Sequence, residues 1–476
     1  MRFKLIVAVA LLASSPATAQ ISLVEHQQGA QFRTQILQQF GGAYTGPGNA
    51  LVQRVGRRMA IASGISRDGS DCTVTLLNST IVNAFATPGC FIYTTRGLLA
   101  IVQDEAELAS VLGHEIGHVA AHHARARQNR STIAGLGALA ASVLTGSQTV
   151  GRLASGLGQR YVLGFSRDQE YEADGLGVRY MTQAGYAPFE SPAMLQALAD
   201  NDALQARLNG VDPKAKIPSW ARSHPLTSDR IARAATLARQ TGLQPGEGRV
   251  ATNEYLAGID GLLWGDDPEQ GYIDGPVFAH PKIRISFRAP PGFMLQNSPA
   301  AVQIVGESGK AQFGGGGIAP GEDIAGYAAR VARAIVGQTP VQSGSPQRLS
   351  INGFDAVVLP MRAQANSGAV DVTVAAYQGG PGVAYQFIII APAGKAAAFD
   401  PLLNSLRRLS PAEAAALRSR MIRVLTVAKG DTIASIAGAM AFTDGRIDRF
   451  RALNEIAPGQ AIQVGEHLKT IVYAPL

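Results

Sequence analysis

Apolar positions recur at helical spacing through the first half of the chain and switch to alternation in the second. Between roughly residues 20 and 245 helical patterns dominate, and strand-like runs (Thr73 to Leu77, Phe91 to Thr94) sit only near the start of that region. From about Ile283 to Leu409 the pattern alternates in short runs, among them Ile283 to Phe287, Ala369 to Ala376 and Ala384 to Ile390. Helical stretches near 322–336 and 396–406 interrupt them, as in an α+β unit. Gly, Pro and Asp crowd the stretch between the two regions, where periodicity is weak. A final unit of about fifty residues starts near Arg423, as strand, Gly-Asp-Thr turn, two short helices and strand. The expected fold class is α+β multidomain. It comprises a mostly helical domain with a small sheet over 20–245, a linker over 246–282, an α/β sandwich-like domain over 283–412 and a small βααβ domain over 420–476.

The first residues change the compartment. Arg2 and Lys4 precede the apolar run Leu5 to Ala13, and Ala17-Thr18-Ala19 stands before Gln20. This is the layout of a signal peptide over 1–19, too short to span a bilayer. The expected location is therefore the periplasm, with the protein soluble or peripherally membrane-associated. Residues 131–151 carry no charge, but Gly, Ser, Thr and Gln interrupt their apolar run. They are read as a hairpin that covers a cleft or touches a membrane surface. Removing Arg2 and Lys4 from the formal net charge of +7 leaves +5, mild for 476 residues. No basic run with interleaved aromatics occurs, so no nucleic-acid partner is expected. Cys72 and Cys90 are the two cysteines, and in an oxidising compartment a disulfide and two separate thiols both fit.

The candidate chemistry lies in Asp104 to Val119. Asp104 with Glu107 three residues on predicts a capped helix start, and Leu108, Leu112, Ile116 and Val119 give it one apolar face. His114 and His118 are four apart, so both imidazoles project from one face and can reach one metal ion. Glu115 is rotated about 100 degrees from His114, outside that chelate but placed to take a proton from a metal-bound water. A catalytic zinc needs a third protein ligand. Ser166 and Gln169 form a second capping box, Gly185 a natural stop, and Glu170 and Asp174 share a face of the helix between. Glu170 is assigned as the third ligand and Asp174 as the acceptor that orients a ligand histidine. His122 and His123 are rival third ligands, though a straight helix carries His122 too far along its axis.

His114-Glu115-x-x-His118, followed some fifty residues later by Ser166-Arg167-x-x-Glu170-x-x-Ala173-Asp174, resembles the gluzincins of peptidase family M48. That family includes HtpX, the CAAX prenyl proteases and the periplasmic BepA. Asn83-Ala84-Phe85-Ala86 with Pro88-Gly89 is similar to the family's edge strand beside the active site, and Thr95 to Leu99 to the helix start after it. His224-Pro225-Leu226 with Arg230 is similar to its His-Pro segment, and Cys90 departs from the glycine usual there. The resemblance implies one Zn²⁺ per chain held by His114, His118 and Glu170, with Glu115 as general base. His224 would stabilise the oxyanion or occupy the open zinc position at rest. Arg230 would face substrate or hold the site's acids, and the strand Asn83, Ala84, Phe85 and Ala86 would bind substrate backbone by strand addition.

The final unit resembles a LysM module, which implies peptidoglycan binding or a scaffold that has lost it; the 283–412 domain has a faint likeness to PsbP-like domains. The expectation is a periplasmic zinc metalloendopeptidase that cleaves unfolded or misfolded envelope proteins in quality control. The alternatives are a peptidoglycan-tethered chaperone with a largely closed metal site and a cell-wall peptide hydrolase.

Overall fold

The computed structural model describes residues 21–124, 165–208, 224, 228–299, 301–337, 339–365 and 368–474. The expected signal peptide and the apolar segment 131–151 lie outside them. No described helix is long and apolar enough to cross a membrane.

The first region builds on helices α1 (Leu23–Gln39), α2 (Asn49–Ala62), α3 (Arg96–Ile101), α4 (Glu105–Ala120), α5 (Arg167–Gln183), α6 (Glu190–Leu208) and α7 (Ser228–Gln240). A three-stranded sheet lies beside them in the order β1 (Thr73–Leu77), β3 (Phe91–Thr95), β2 (Ala84–Thr87). The β1–β3 pair is parallel and β2–β3 antiparallel, which leaves β2 as an edge strand. Cys72 and Cys90 form a disulfide that ties the residue before β1 to the residue before β3. Cys90 has φ +58°, a backbone region that favours glycine. A cross-link thus holds a residue in place where the backbone would suit glycine better.

Two helices carry the candidate chemistry, and glycines set the distance between them. α4 and α5 pack against each other over Gly113, Gly117 and Gly177. A Cβ on Gly177 would stand 3.0 Å from the His114 amide nitrogen, and one on Gly117 would stand 3.1 Å from the Ala173 carbonyl. The backbones therefore approach closer than side chains would allow. The α5 start has the reciprocal capping box, with the Gln169 amide donating to Ser166 Oγ and the Ser166 amide to Gln169 Oε1. Gly185, φ +81°, stands just past its end. At α4 the box is only half formed. Asp104 accepts the Glu107 amide at 2.9 Å, but the Glu107 carboxylate turns to the Gln103 amide at 2.7 Å. α4 ends at Ala120, and His122 adopts φ +52°, so the helix does not continue through His122 as the sequence implied.

The stretch 246–282 is not a plain linker. It holds α8 (Thr252–Ile259) and the strands β4 (Leu263–Trp264), β5 (Tyr272–Asp274) and β6 (Val277–His280). Tyr255, Leu256, Ile259 and Leu262 sit at helical spacing and are buried in the core of the first region, a pattern the surrounding Gly, Pro and Asp conceal. The next unit starts within that stretch too. β5 and β6 join β7 (Ile285–Arg288) and β16 (Arg407–Arg408) in one four-stranded sheet. This sheet packs on an eight-stranded one running from β8 (Met294–Asn297) to β15 (Val383–Pro392), with Phe278 and Phe287 meeting Phe313 and Phe387 between the layers. α9 (Ile324–Val336) covers the opposite face through Ile324, Tyr327 and Ile335.

The C-terminal unit runs β17 (Arg420–Thr426), α10 (Ile433–Gly438), α11 (Arg446–Leu453) and β18 (His467–Tyr473). It is not a free appendage. β4 adds a third strand to its sheet, and Ile422, Phe450, Leu468 and Ile471 share one buried cluster with Val55, Leu99, Leu108 and Met194.

The glycine seam is open to a paired test. Gly175→Ala, with nothing within 4 Å of the added Cβ, should stabilise α5 by about 1 kcal/mol through helix propensity. Gly177→Ala should instead lower stability, because overpacking against backbone costs roughly 1–3 kcal/mol, and it should weaken metal binding at least fivefold. Thermal melts and chelator competition on both variants read the difference; equal behaviour would mean that the seam does not set the helix spacing.

Candidate metal centre

α4 and α5 bring His114, His118 and Glu170 together, and His224 joins them from a later segment. One ligand atom from each of the four lies within 4.8 Å of the other three. His114 Nε2 and His118 Nε2 are 3.0 Å apart, and His114 Nε2 is 3.2 Å from His224 Nδ1. The Glu170 carboxylate stands 3.5 Å from His114 Nε2, 3.6 Å from His118 Nε2 and 3.1 Å from His224 Nδ1. Tetrahedral N and O ligands at ~2.0–2.1 Å from one zinc-sized ion lie roughly 3.3 Å from each other. The observed separations fit that requirement.

The remaining ring nitrogens are held elsewhere, which turns the Nε2 lone pairs inward. His114 Nδ1 contacts Asp174 Oδ1 at 2.9 Å, and His118 Nδ1 contacts His123 Nδ1 at 2.8 Å. His123 in turn reaches Glu172 at 3.1 Å. Phe165 stacks on the His118 ring with centroids 3.8 Å apart. His123 is thus an orienting neighbour and not a ligand. Its partner Glu172, two residues after Glu170, was the signal in the sequence. His122 faces Glu25 of α1 at 3.1 Å, away from the cluster.

Charge makes the same demand as geometry. Glu115, Glu170 and Asp174 are three buried carboxylates, and Arg230 is the buried guanidinium among them. Three negatives and one positive leave a formal −2, which a divalent cation cancels. Arg230 grips Asp174 through two bonds of 2.9 and 2.7 Å and reaches Glu170 at 3.0 Å. Burial opposes ionisation of Glu170 and Asp174, but His224 and His114 hold the first carboxyl below the usual range, and His114 and Arg230 the second. Burial also opposes a charge on His114, yet Asp174 and Glu170 raise its pKa to about 10; burial and the neighbouring His114 push His118 down. The acids draw positive charge to this point.

Glu115 is fully buried, and neither of its carboxylate oxygens has a hydrogen-bond partner among the described residues. It approaches His224 Nε2 at 3.3 Å. Burial raises its pKa, with His224 and His114 working the other way. A buried carboxylate without hydrogen bonds is uncommon in a folded protein.

The four residues expected to bind substrate are less uniform. Ala84, Phe85 and Ala86 lie in β2, whereas Asn83 precedes it and both donates to and accepts from Thr95. Phe85 turns into the cluster formed with Phe40 and Tyr93. What β2 offers is its backbone, since no strand among the described residues pairs with its outer edge. A cavity of about 380 Å³ lies beside it, lined by Ala86, Thr87, His118, Val119 and Phe165 with Val24 of α1.

Comparison with known proteins finds two domain families in the chain. The model of Peptidase family M48 matches residues 48–238, and that of the LysM domain residues 425–470, so the chain carries both domains. It is 33% identical over 190 residues to the beta-barrel assembly-enhancing protease of Yersinia pestis, a match covering 38% of this chain and 37% of that protein. It is 34% identical over 131 residues to the mitochondrial metalloendopeptidase OMA1 of Arabidopsis thaliana, covering 28% of this chain and 26% of the relative. The matches thus span between about a quarter and little more than a third of the length of these two relatives. A cyanobacterial PsbP (CyanoP) structure from Synechocystis sp. PCC 6803 aligns at 12% identity and a TM-score of 0.23, over 28% of this chain and 91% of that one; so weak a likeness fixes neither fold nor role.

Arg230→Met would leave Asp174 and Glu170 without their guanidinium. Breaking a buried ion pair from one side costs about 3–5 kcal/mol, and loss of a group that orients ligands weakens metal binding roughly 10–100-fold. Urea denaturation of the metal-free chain and chelator competition should show both losses. Unchanged metal affinity would place Arg230 outside the centre.

Proposed function

We propose that this chain, which carries a family M48 peptidase domain, is a periplasmic zinc-dependent endopeptidase that cleaves unfolded or misfolded envelope proteins. The observation that carries the reading is the spacing of the donors: two imidazoles from α4 and a carboxylate from α5, set for one tetrahedral ion. His114, His118 and Glu170 would hold zinc, which when bound polarises a carbonyl and makes water acidic enough to ionise near neutral pH.

The chain's own groups do the rest. Glu115 takes the proton of the attacking water and returns one to the leaving amine, a role that suits a buried carboxylate with no hydrogen bond of its own. Asp174 keeps His114 in the tautomer whose Nε2 lone pair faces inward, and Arg230 fixes Asp174 and Glu170. The free edge of β2 binds an extended backbone by strand addition, which selects unfolded segments over particular side chains. That selectivity is the basis for the quality-control role. The LysM domain would hold the enzyme at peptidoglycan.

One observation favours a second state. The His224 ring stands against His114, Glu170 and Glu115, in the place that substrate and water need. At rest His224 closes the site, and a chain held in that state binds clients without cutting them.

Casein cleavage by the zinc-loaded protein tests the main reading. Chelation should abolish it, and Glu115→Gln should lower kcat at least ~100-fold while zinc content stays at one per chain. Cleavage that survives Glu115→Gln at the wild-type rate would contradict the assignment.

A further inference from the structure

Lys469 is a lysine with no exposed surface, and it belongs to the C-terminal unit. Its ammonium donates to the carbonyls of Ala100, Ile101 and Val102 at 3.1, 3.3 and 2.7 Å. These are the last carbonyls of α3 and the first beyond it, groups that a helix end leaves without partners of its own. The Lys469 backbone is fixed on both sides by Asn454, which accepts its amide at 2.7 Å and donates to its carbonyl at 2.9 Å. The side chain is therefore held in place from within its own unit while it completes a helix end 367 residues away.

The corner it completes leads into the metal helix. Gln103 donates to the Ile101 carbonyl and to the Leu453 carbonyl of the C-terminal unit, and its amide donates to Glu107. Asp104 and Glu107 are buried at the start of α4, with Glu455 nearby. Burial pushes both carboxyls up, and it pushes the Lys469 ammonium down to about 7 against the pull of Glu107, Glu455 and Asp104. Take this cation away and three buried carbonyls at the end of α3 lose their donor, the costly case for a buried polar group. Seven residues separate Glu107 from His114, about 10 Å along the same rod.

We propose that Lys469 is a positioning residue for the metal helix, and that the C-terminal unit is an integral part of the peptidase and not a flexible tether. One end of α4 is held by α5 across the glycine seam. The corner that leads into the other end is held by a lysine of the LysM unit. What that unit binds is then mechanically joined to His114 and Glu115. The catalytic consequence rests on the peptidase function proposed above; the structural coupling does not.

Amide exchange along a urea series, on the unaltered zinc-loaded chain, tests the coupling. Amides of 105–112 and of 467–473 should open together, at one urea concentration and with one slope. If 467–473 open at lower urea while 105–112 stay protected, the proposal is overturned. Lys469→Met should speed exchange across 105–112 at least tenfold and lower kcat at least fivefold with KM within twofold of wild type. A variant that exchanges and turns over like wild type counts against it. Should the variant not fold, the exchange of the unaltered chain decides. A chain that opens as one unit but cleaves nothing keeps the coupling and sinks the peptidase function.

Discussion

The closeness of α4 to α5 is the constraint on which the rest depends. Glu170 reaches two imidazoles on another helix only because Gly113, Gly117 and Gly177 let the two backbones nearly touch. The surrounding structure holds that approach in place. Leu108, Leu112 and Ile116 bury the back of α4 in the main core, and α6 and the C-terminal unit pack around it. The candidate metal site is thus built on two packed helices and a core.

Such a site is expensive to bury without its ion. Three carboxylates face one guanidinium, and at nine-tenths burial or more their repulsion is not relieved by solvent. The acids lift the pKa of His114, a sign of how strongly they draw positive charge to this point. A divalent cation would meet all the converging lone pairs at once. Glu115 belongs to the same cluster, with its carboxylate 3.3 Å from His224 Nε2.

The sequence made some of this legible and hid the rest for physical reasons. Helix period and capping residues are local, so the spans that carry His114, Glu115, His118 and Glu170 could be read from spacing alone. The glycines between those histidines were visible but silent, because a glycine declares a close contact only once its neighbour is known. Ala121 to His123 carry no glycine or proline, so nothing announced that the helix ends before His122. The 246–282 stretch has the composition of a linker, yet four apolar residues at helical spacing were enough to bury α8. Lys469 reads as the solvated cation of an alternating strand, and its partners lie more than 360 residues away. Contacts of that range leave no mark in a local pattern.

Zinc K-edge X-ray absorption on the purified full-length chain, with metal content measured on the same sample, tests the central claim most directly. One zinc per chain is expected, in a four-coordinate shell of nitrogen and oxygen at ~2.0–2.1 Å, with scattering from at least two imidazoles. A shell of oxygen alone, a sulfur ligand, or zinc well below one per chain would contradict a centre built from His114, His118 and Glu170.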